Sequence, residues 1–131
     1  MKTQLLTILA FLLSITAFSQ KDCAKFRDGT FKVTDPASKK VCIIKREGDR
    51  QTERLEESDM TFDFDLVWLD DCTYTLTPTA ATLARNKDVD KIGTMTVKIT
   101  QTKENSYVHR VTVATNPKFR RVDEVFIVKE N

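Results

Sequence analysis

Thr61-Phe62-Asp63-Phe64-Asp65-Leu66-Val67-Trp68-Leu69 is the stretch that decides the architecture. Phe62, Phe64, Leu66 and Trp68 fall on one side of an extended chain, and Thr61, Asp63, Asp65 and Val67 on the other. Successive side chains of a strand point to opposite faces, so this strict alternation marks a strand buried on one face. The same period recurs downstream. Cys72, Tyr74 and Leu76 alternate with Thr73, Thr75 and Thr77; Met95, Val97 and Ile99 alternate with Thr96, Lys98 and Thr100. Tyr107, His109, Val111 and Val113 alternate with Val108, Arg110, Thr112 and Ala114. Thr, Val, Ile and aromatic residues dominate these segments, as a half-buried pleated surface favours.

Weaker segments complete the set. Thr30 to Val33 follows Asp28-Gly29, Val41 to Arg46 is a second strand, and Val122 to Val128 is a last one, apolar on both faces. Arg50 to Glu56 has a helix-like composition but only Leu55 to anchor an apolar stripe. It reads as a polar edge strand, paired with the second through Glu47-Gly48-Asp49, its charges discouraging aggregation. Turn signals stand at Asp35-Pro36, Gly48-Asp49, Asp70-Asp71, Glu104-Asn105 and Asn116-Pro117. The one long connection, 79–92, is either a short helix around Ala80 to Arg85 or a loop closed at Gly93. The expected fold is therefore all-β: a single small antiparallel meander of about eight strands. A closed barrel is favoured over a sandwich because closure hides the strand edges.

The N-terminus sets the compartment. Lys2 precedes an apolar-rich run from Leu5 to Ile15, and Ala17 and Ser19 are small residues at the −3 and −1 positions of a cut before Gln20. This layout predicts a secretory signal peptide at 1–19 and a single β domain at 20–131. The apolar run is shorter than the roughly 20 residues needed to span a bilayer. Gln20, Lys21 and Asp22 before Cys23 do not suit lipidation. The expected location is periplasmic or extracellular, with no stable membrane insertion after cleavage. Removing Lys2 leaves 20 of the 21 Lys and Arg against 19 Asp and Glu, a net charge near +1. That balance gives no electrostatic reason to bind nucleic acid.

Three cysteines remain, Cys23, Cys42 and Cys72, so at most one intramolecular bridge forms. Cys42 lies in the apolar run Val41-Cys42-Ile43-Ile44 and reads as a small hydrophobe. Cys23 and Cys72 flank polar loop positions, and these two are expected to pair in the oxidising compartment that export implies. There is no CxxC and only one histidine, so zinc is not indicated.

Cys23-x-x-Phe26-x-x-Gly29-x-Phe31, Ile44-x-Arg46, Gln51-x-Glu53 and Trp68-x-x-x-Cys72-x-Tyr74-x-Leu76 together resemble a family of small exported proteins common in flavobacteria and their relatives. Gly93, Val97-x-Ile99 and Tyr107 also fit, so the resemblance spans most of the chain after the signal. The family has no characterised activity; some members carry the label DNA topoisomerase IV. The export signal, the near-neutral charge and the lack of a phosphate-binding glycine motif do not support that label here. Gly29-Thr30-Phe31-Lys32-Val33 is faintly similar to the opening of lipocalin-type barrels, with Phe31 in place of the usual tryptophan. That likeness is at the level of fold.

Candidate chemistry is sparse, and no catalytic, metal or cofactor motif stands out. His109, the only histidine, is either a packed structural residue or a general base acting with an acid such as Asp63. Asp63, Asp65, Asp70, Asp71, Asp88 and Asp90 cluster without the glycine and glutamate of a calcium loop, and read as a solvated face. Lys118, Arg120 and Arg121 read as a solvated hairpin turn. Phe62, Phe64 and Trp68, with Tyr107 and His109, are the residues that would line a ligand cavity if the barrel holds one; otherwise they are core. The expected function is a non-enzymatic exported binding module for a small apolar ligand or a protein partner. The alternatives are an envelope-associated structural protein and a small hydrolase using His109.

Overall fold

A computed structural model describes residues 21–129. The predicted signal segment and its cut lie outside the described residues. The strands are β1 (Gly29–Thr34), β2 (Val41–Glu47), β3 (Arg50–Leu55), β4 (Thr61–Asp70), β5 (Thr73–Pro78), β6 (Met95–Thr102), β7 (Ser106–Val113) and β8 (Asn116–Ile127). Each pairs antiparallel with the next, and β1 meets β8 to close the barrel. The expected eight-stranded meander and its closure are what the structure has. Among the described residues no helix is long and apolar enough to cross a membrane.

The long connection contains the short helix α1 (Ala80–Arg85), followed by a 3-10 turn over Lys87–Lys91. Thr79 caps α1, its hydroxyl accepting from the Thr82 N–H at 3.2 Å. Thr82 then serves β4: its hydroxyl accepts from the Asp63 N–H at 2.8 Å and donates to the Asp63 carbonyl at 3.1 Å. The helix thereby satisfies β4 backbone groups beyond the point where β5 pairing begins, at Phe64 and Pro78.

Two expectations need correction. β3 is not an edge, because it is hydrogen-bonded to β2 on one side and β4 on the other. Its polar character has another cause: Gln51 and Glu53 face the interior, which is partly polar at that level. The turn predicted at Asn116-Pro117 falls earlier, at Ala114-Thr115, and β8 starts at Asn116. Residues 117–120 bulge out of the ladder between the pairs Val113↔Asn116 and Val111↔Arg121. Arg121 is thus on a strand and not in a turn, and Lys118 and Arg120 lie in the bulge.

The core fills one end of the barrel. Phe26, Phe31, Tyr74, Tyr107, Ile99 and Val125 are all buried there. Phe26 belongs to a 3-10 turn (Ala24–Phe26) that plugs this end. The ring centroids of Phe26 and Tyr107 are 5.0 Å apart, and those of Phe31 and Tyr107 are 5.9 Å apart. The predicted disulfide is present: Cys23, at the start of the plug, is bonded to Cys72 in the β4–β5 turn. It staples the plug to the rim it covers. Cys42 is free and half-buried.

The bridge closes 49 residues of chain, for which the denatured-state entropy argument gives a stabilisation of about 4 kcal/mol before any native strain. Replacing both cysteines (Cys23→Ser with Cys72→Ser) is expected to lower unfolding free energy by about 2–4 kcal/mol. Urea titration followed by circular dichroism measures this, and an unchanged midpoint would show that the plug holds without its staple.

Candidate functional site

Arg46 organises the plugged end. It is on the inward face of β2, below Cys42 and Ile44, and is only 2% exposed. Its Nε donates to Gln51 Oε1 at 2.9 Å, its Nη1 to the Phe26 carbonyl at 2.6 Å, and its Nη2 to the hydroxyls of Tyr74 (2.9 Å) and Tyr107 (2.8 Å). Four of its five N–H donors are thereby spent on neutral groups. Its guanidinium carbon also lies 4.8 Å from the Phe31 ring centroid and 4.9 Å from that of Tyr74, so aromatic faces supply part of the counter-charge. Burial opposes the charge, yet Tyr74 and Tyr107 hold the proton on and the net shift of the Arg46 pKa is upward. Burial likewise pushes the Tyr74 hydroxyl well above its ordinary range, so it stays protonated.

Above this layer the interior is not filled. A cavity of about 360 Å³ occupies the other half of the barrel. Gln51 and Tyr74 form part of its lining while Arg46 does not, so the arginine is walled off from it. Most of the lining is apolar: Val33 from β1, Ile44 from β2, Leu55 from β3, Leu76 from β5, Met95 and Val97 from β6, and Val111 from β7. Polar groups are set among them: His109 from β7, Arg121 and Asp123 from β8, Asp35 just after β1, and, four strands from His109, Glu53 from β3. Phe119, in the β8 bulge and 41% exposed, also lines the cavity. A second depression of about 510 Å³ lies between loops 38–41 and 55–58 and shares Ser38, Lys40 and Leu55 with the cavity.

The barrel seam runs beside Asp35, Arg121 and Asp123. β1 and β8 pair only at Phe31↔Ile127 and Lys32↔Phe126. Nearer the open end the two strands are spanned by the Arg121–Asp35 ion pair at 4.0 Å. Arg121 Nε also donates to Asp123 Oδ2 at 2.8 Å, and His109 Nε2 lies 3.3 Å from the same oxygen. The hydrogen bonds from His109 and Arg121 outweigh burial and hold the Asp123 carboxyl below its ordinary range. An ionised Asp123 is an acceptor only, so Nε2 of His109 carries the proton that faces it. In a neutral His109 the bare ring nitrogen is then Nδ1, which is buried and has no hydrogen-bond partner among the described residues.

Glu53 is the second exception to tidy pairing. Its Oε1 accepts from Gln51 Nε2 at 3.0 Å, which completes a chain Arg46–Gln51–Glu53. Oε2 has no hydrogen bond among the described residues. Burial raises the Glu53 pKa, offset in part by the Gln51 bond and by Arg46 and Arg121. Cys42 lines the same cavity, and burial, reinforced by Glu53, pushes its thiol up to about 12.

Of the residues predicted to line a cavity, only His109 does so. Phe64 is in the packed core, with Phe62 half-buried against it. Tyr107 lies in the arginine layer. Trp68 is near the disulfide end, its ring 4.7 Å from Tyr74 and under the Arg27 guanidinium at 4.6 Å. Nor does Asp63 meet His109: it accepts from Thr52 at 2.8 Å and pairs with Arg85 at 3.4 Å. The acid beside His109 is Asp123. Glu53, Arg121 and Asp123 were missed. The available signal was the run of polar residues at inward positions, Gln51 and Glu53 on β3 and Arg121 and Asp123 on β8. The chain matches no family model, no curated protein and no solved structure.

Glu53 and Asp123 have opposite pH signatures. The folded pKa of Glu53 is raised, so its favourable contribution is complete below the unfolded value near about 4.3 and is lost as pH rises through the folded value. Glu53→Gln is therefore expected to raise the urea midpoint at pH 7, with the gain vanishing below about pH 4. The folded pKa of Asp123 is lowered, so its contribution is present above about 3.9 and is lost as pH falls through the folded value. Asp123→Asn is expected to lower the midpoint at pH 7, with the deficit shrinking in acid. Denaturation at several pH values checks both signs.

Proposed function

We propose that the protein is an exported, lipocalin-type barrel that holds a small, mostly apolar molecule in its cavity and performs no chemistry on it. The observation that carries this reading is the unfilled upper half of the barrel, about 360 Å³ above a fully packed lower half. That volume is within the range of ligand sites, roughly 300–1,000 Å³, which combine apolar walls with a few convergent polar groups. Eight strands in unbroken next-neighbour order, closed on themselves, are the architecture of lipocalin barrels, although likeness of fold alone assigns no ligand. Export is supported by the signal-like N-terminus and is compatible with the Cys23–Cys72 bridge.

The alternatives have less behind them. A hydrolase needs an activated nucleophile beside the His109–Asp123 pair, and the thiol in the cavity, Cys42, stays protonated with its pKa near 12. A surface-docking role calls for a contiguous apolar patch. The exposed apolar residues are instead scattered: Leu55 and Met60 in and after β3, Val67 and Leu69 on β4, Ile92 before β6, and Phe119, Val122 and Phe126 on β8, which is four strands from β4 in the closed order.

The cavity reading is tested with N-phenylnaphthylamine, an uncharged dye that brightens in apolar surroundings. The protein is expected to bind it saturably with one site. Met95→Trp, which places a large ring on the apolar lining, is expected to weaken binding by at least about tenfold, or about 1.4 kcal/mol. Unchanged dye affinity in a folded Met95→Trp protein would place the dye elsewhere.

A further inference from the structure

The cavity carries a carboxylate oxygen that nothing among the described residues satisfies. Glu53 lines it with Oε2 unengaged. A carboxylate oxygen calls for a donor. His109 also lines the cavity, but its unpartnered Nδ1 is buried out of contact with it. The donors nearby are already committed. Arg121 is held by Asp123 and Asp35, and Arg46 is sealed beneath Gln51 and Tyr74 with four of its five N–H groups in use.

Charge points the same way. Asp35, Glu53 and Asp123 line the cavity against Lys40 and Arg121, three carboxylates to two cations. Two of those acids hold Arg121, which leaves Glu53 as the carboxylate free to meet a ligand. A ligand carboxylate would bring a further acceptor to a cavity that already has an unmatched one, and an unmatched polar group removed from water is costly.

Building on the cavity reading of the preceding section, we infer that the ligand is an apolar molecule ending in an amino group, which Glu53 receives through Oε2. The apolar body lies along Leu76, Met95 and Val97. Gln51 orients the Glu53 carboxyl through the bond to its Oε1 and leaves Oε2 turned to the ligand. An ammonium group supplies the donor that Oε2 lacks. It also supplies the positive charge that a carboxylate removed from water lacks.

Displacement of N-phenylnaphthylamine by decylamine, decanol and decanoate separates the possibilities, since the three differ only in their end group. Decylamine is expected to bind at least about tenfold tighter than decanoate, equivalent to about 1.4 kcal/mol, with decanol between them. Glu53→Gln is expected to bring the amine-to-carboxylate affinity ratio close to one. Asp65→Asn removes the same unit of charge from the exposed outer face, where Asp65 pairs with Arg50, and is expected to leave the ratio unchanged. Decanoate binding as tightly as decylamine would overturn the inference, as would a ratio that survives Glu53→Gln or falls equally with Asp65→Asn. In each of those cases the dye still binds and the cavity reading stands. Failure of the dye to bind would overturn the cavity reading and this inference together.

Discussion

The structure depends on one buried guanidinium. Arg46 reaches from β2 to β3 through Gln51, to β5 through Tyr74, to β7 through Tyr107 and to the N-terminal plug through the Phe26 carbonyl. Four separated pieces of chain meet at one planar group whose fork of donors fixes their relative positions. Apolar packing alone would allow Phe26, Phe31 and Tyr107 to settle in several arrangements; the hydrogen bonds select one. Taking a charge out of water is expensive unless its donors are matched, and here the matching is nearly complete. The disulfide acts on the same layer from outside, tying the plug to the β4–β5 turn.

Because the packing is concentrated at that end, the other end is free to be something else. The arginine layer forms a floor, and above it the barrel keeps space lined mainly by aliphatic groups with a few charged ones among them. Glu53 links the two halves: it is joined to Arg46 through Gln51 and faces the cavity. Burial disfavours its charge, so at neutral pH it works against stability. A carboxylate partly removed from water at the wall of a cavity fits the proposed binding role, since natural proteins give up stability where function needs a desolvated group.

Much of this fold was readable from periodicity. The alternation at 61–69, 72–77, 95–100 and 107–114 located four strands, and their sequential order suggested the closed meander. The two cysteines beside polar loop positions identified the bridge. The candidate site was far less legible, for a physical reason. Pattern reading takes polar residues at alternate positions as solvent-facing, and a barrel with a polar interior inverts that rule on part of its wall. β3 therefore looked like an edge, and Gln51 and Glu53 looked like surface. Aromatic residues drew attention instead, but Phe64 and Tyr107 lie in the packed floor. Trp68 packs beside Arg27 at the plugged end. Ile44-x-Arg46 and Gln51-x-Glu53, noted for their resemblance to a family pattern, are the segments whose side chains build the hydrogen-bonded chain, a relation that depends on three-dimensional closure.

The proposed role of the upper barrel is that of a container. Native mass spectrometry of the protein recovered from its own host, without detergent or organic solvent, tests it most directly. The account predicts a species heavier than the bare chain by the mass of one small molecule, which disappears when the barrel is unfolded. A single mass equal to the bare chain, from protein that also takes up no added apolar amine, would contradict it.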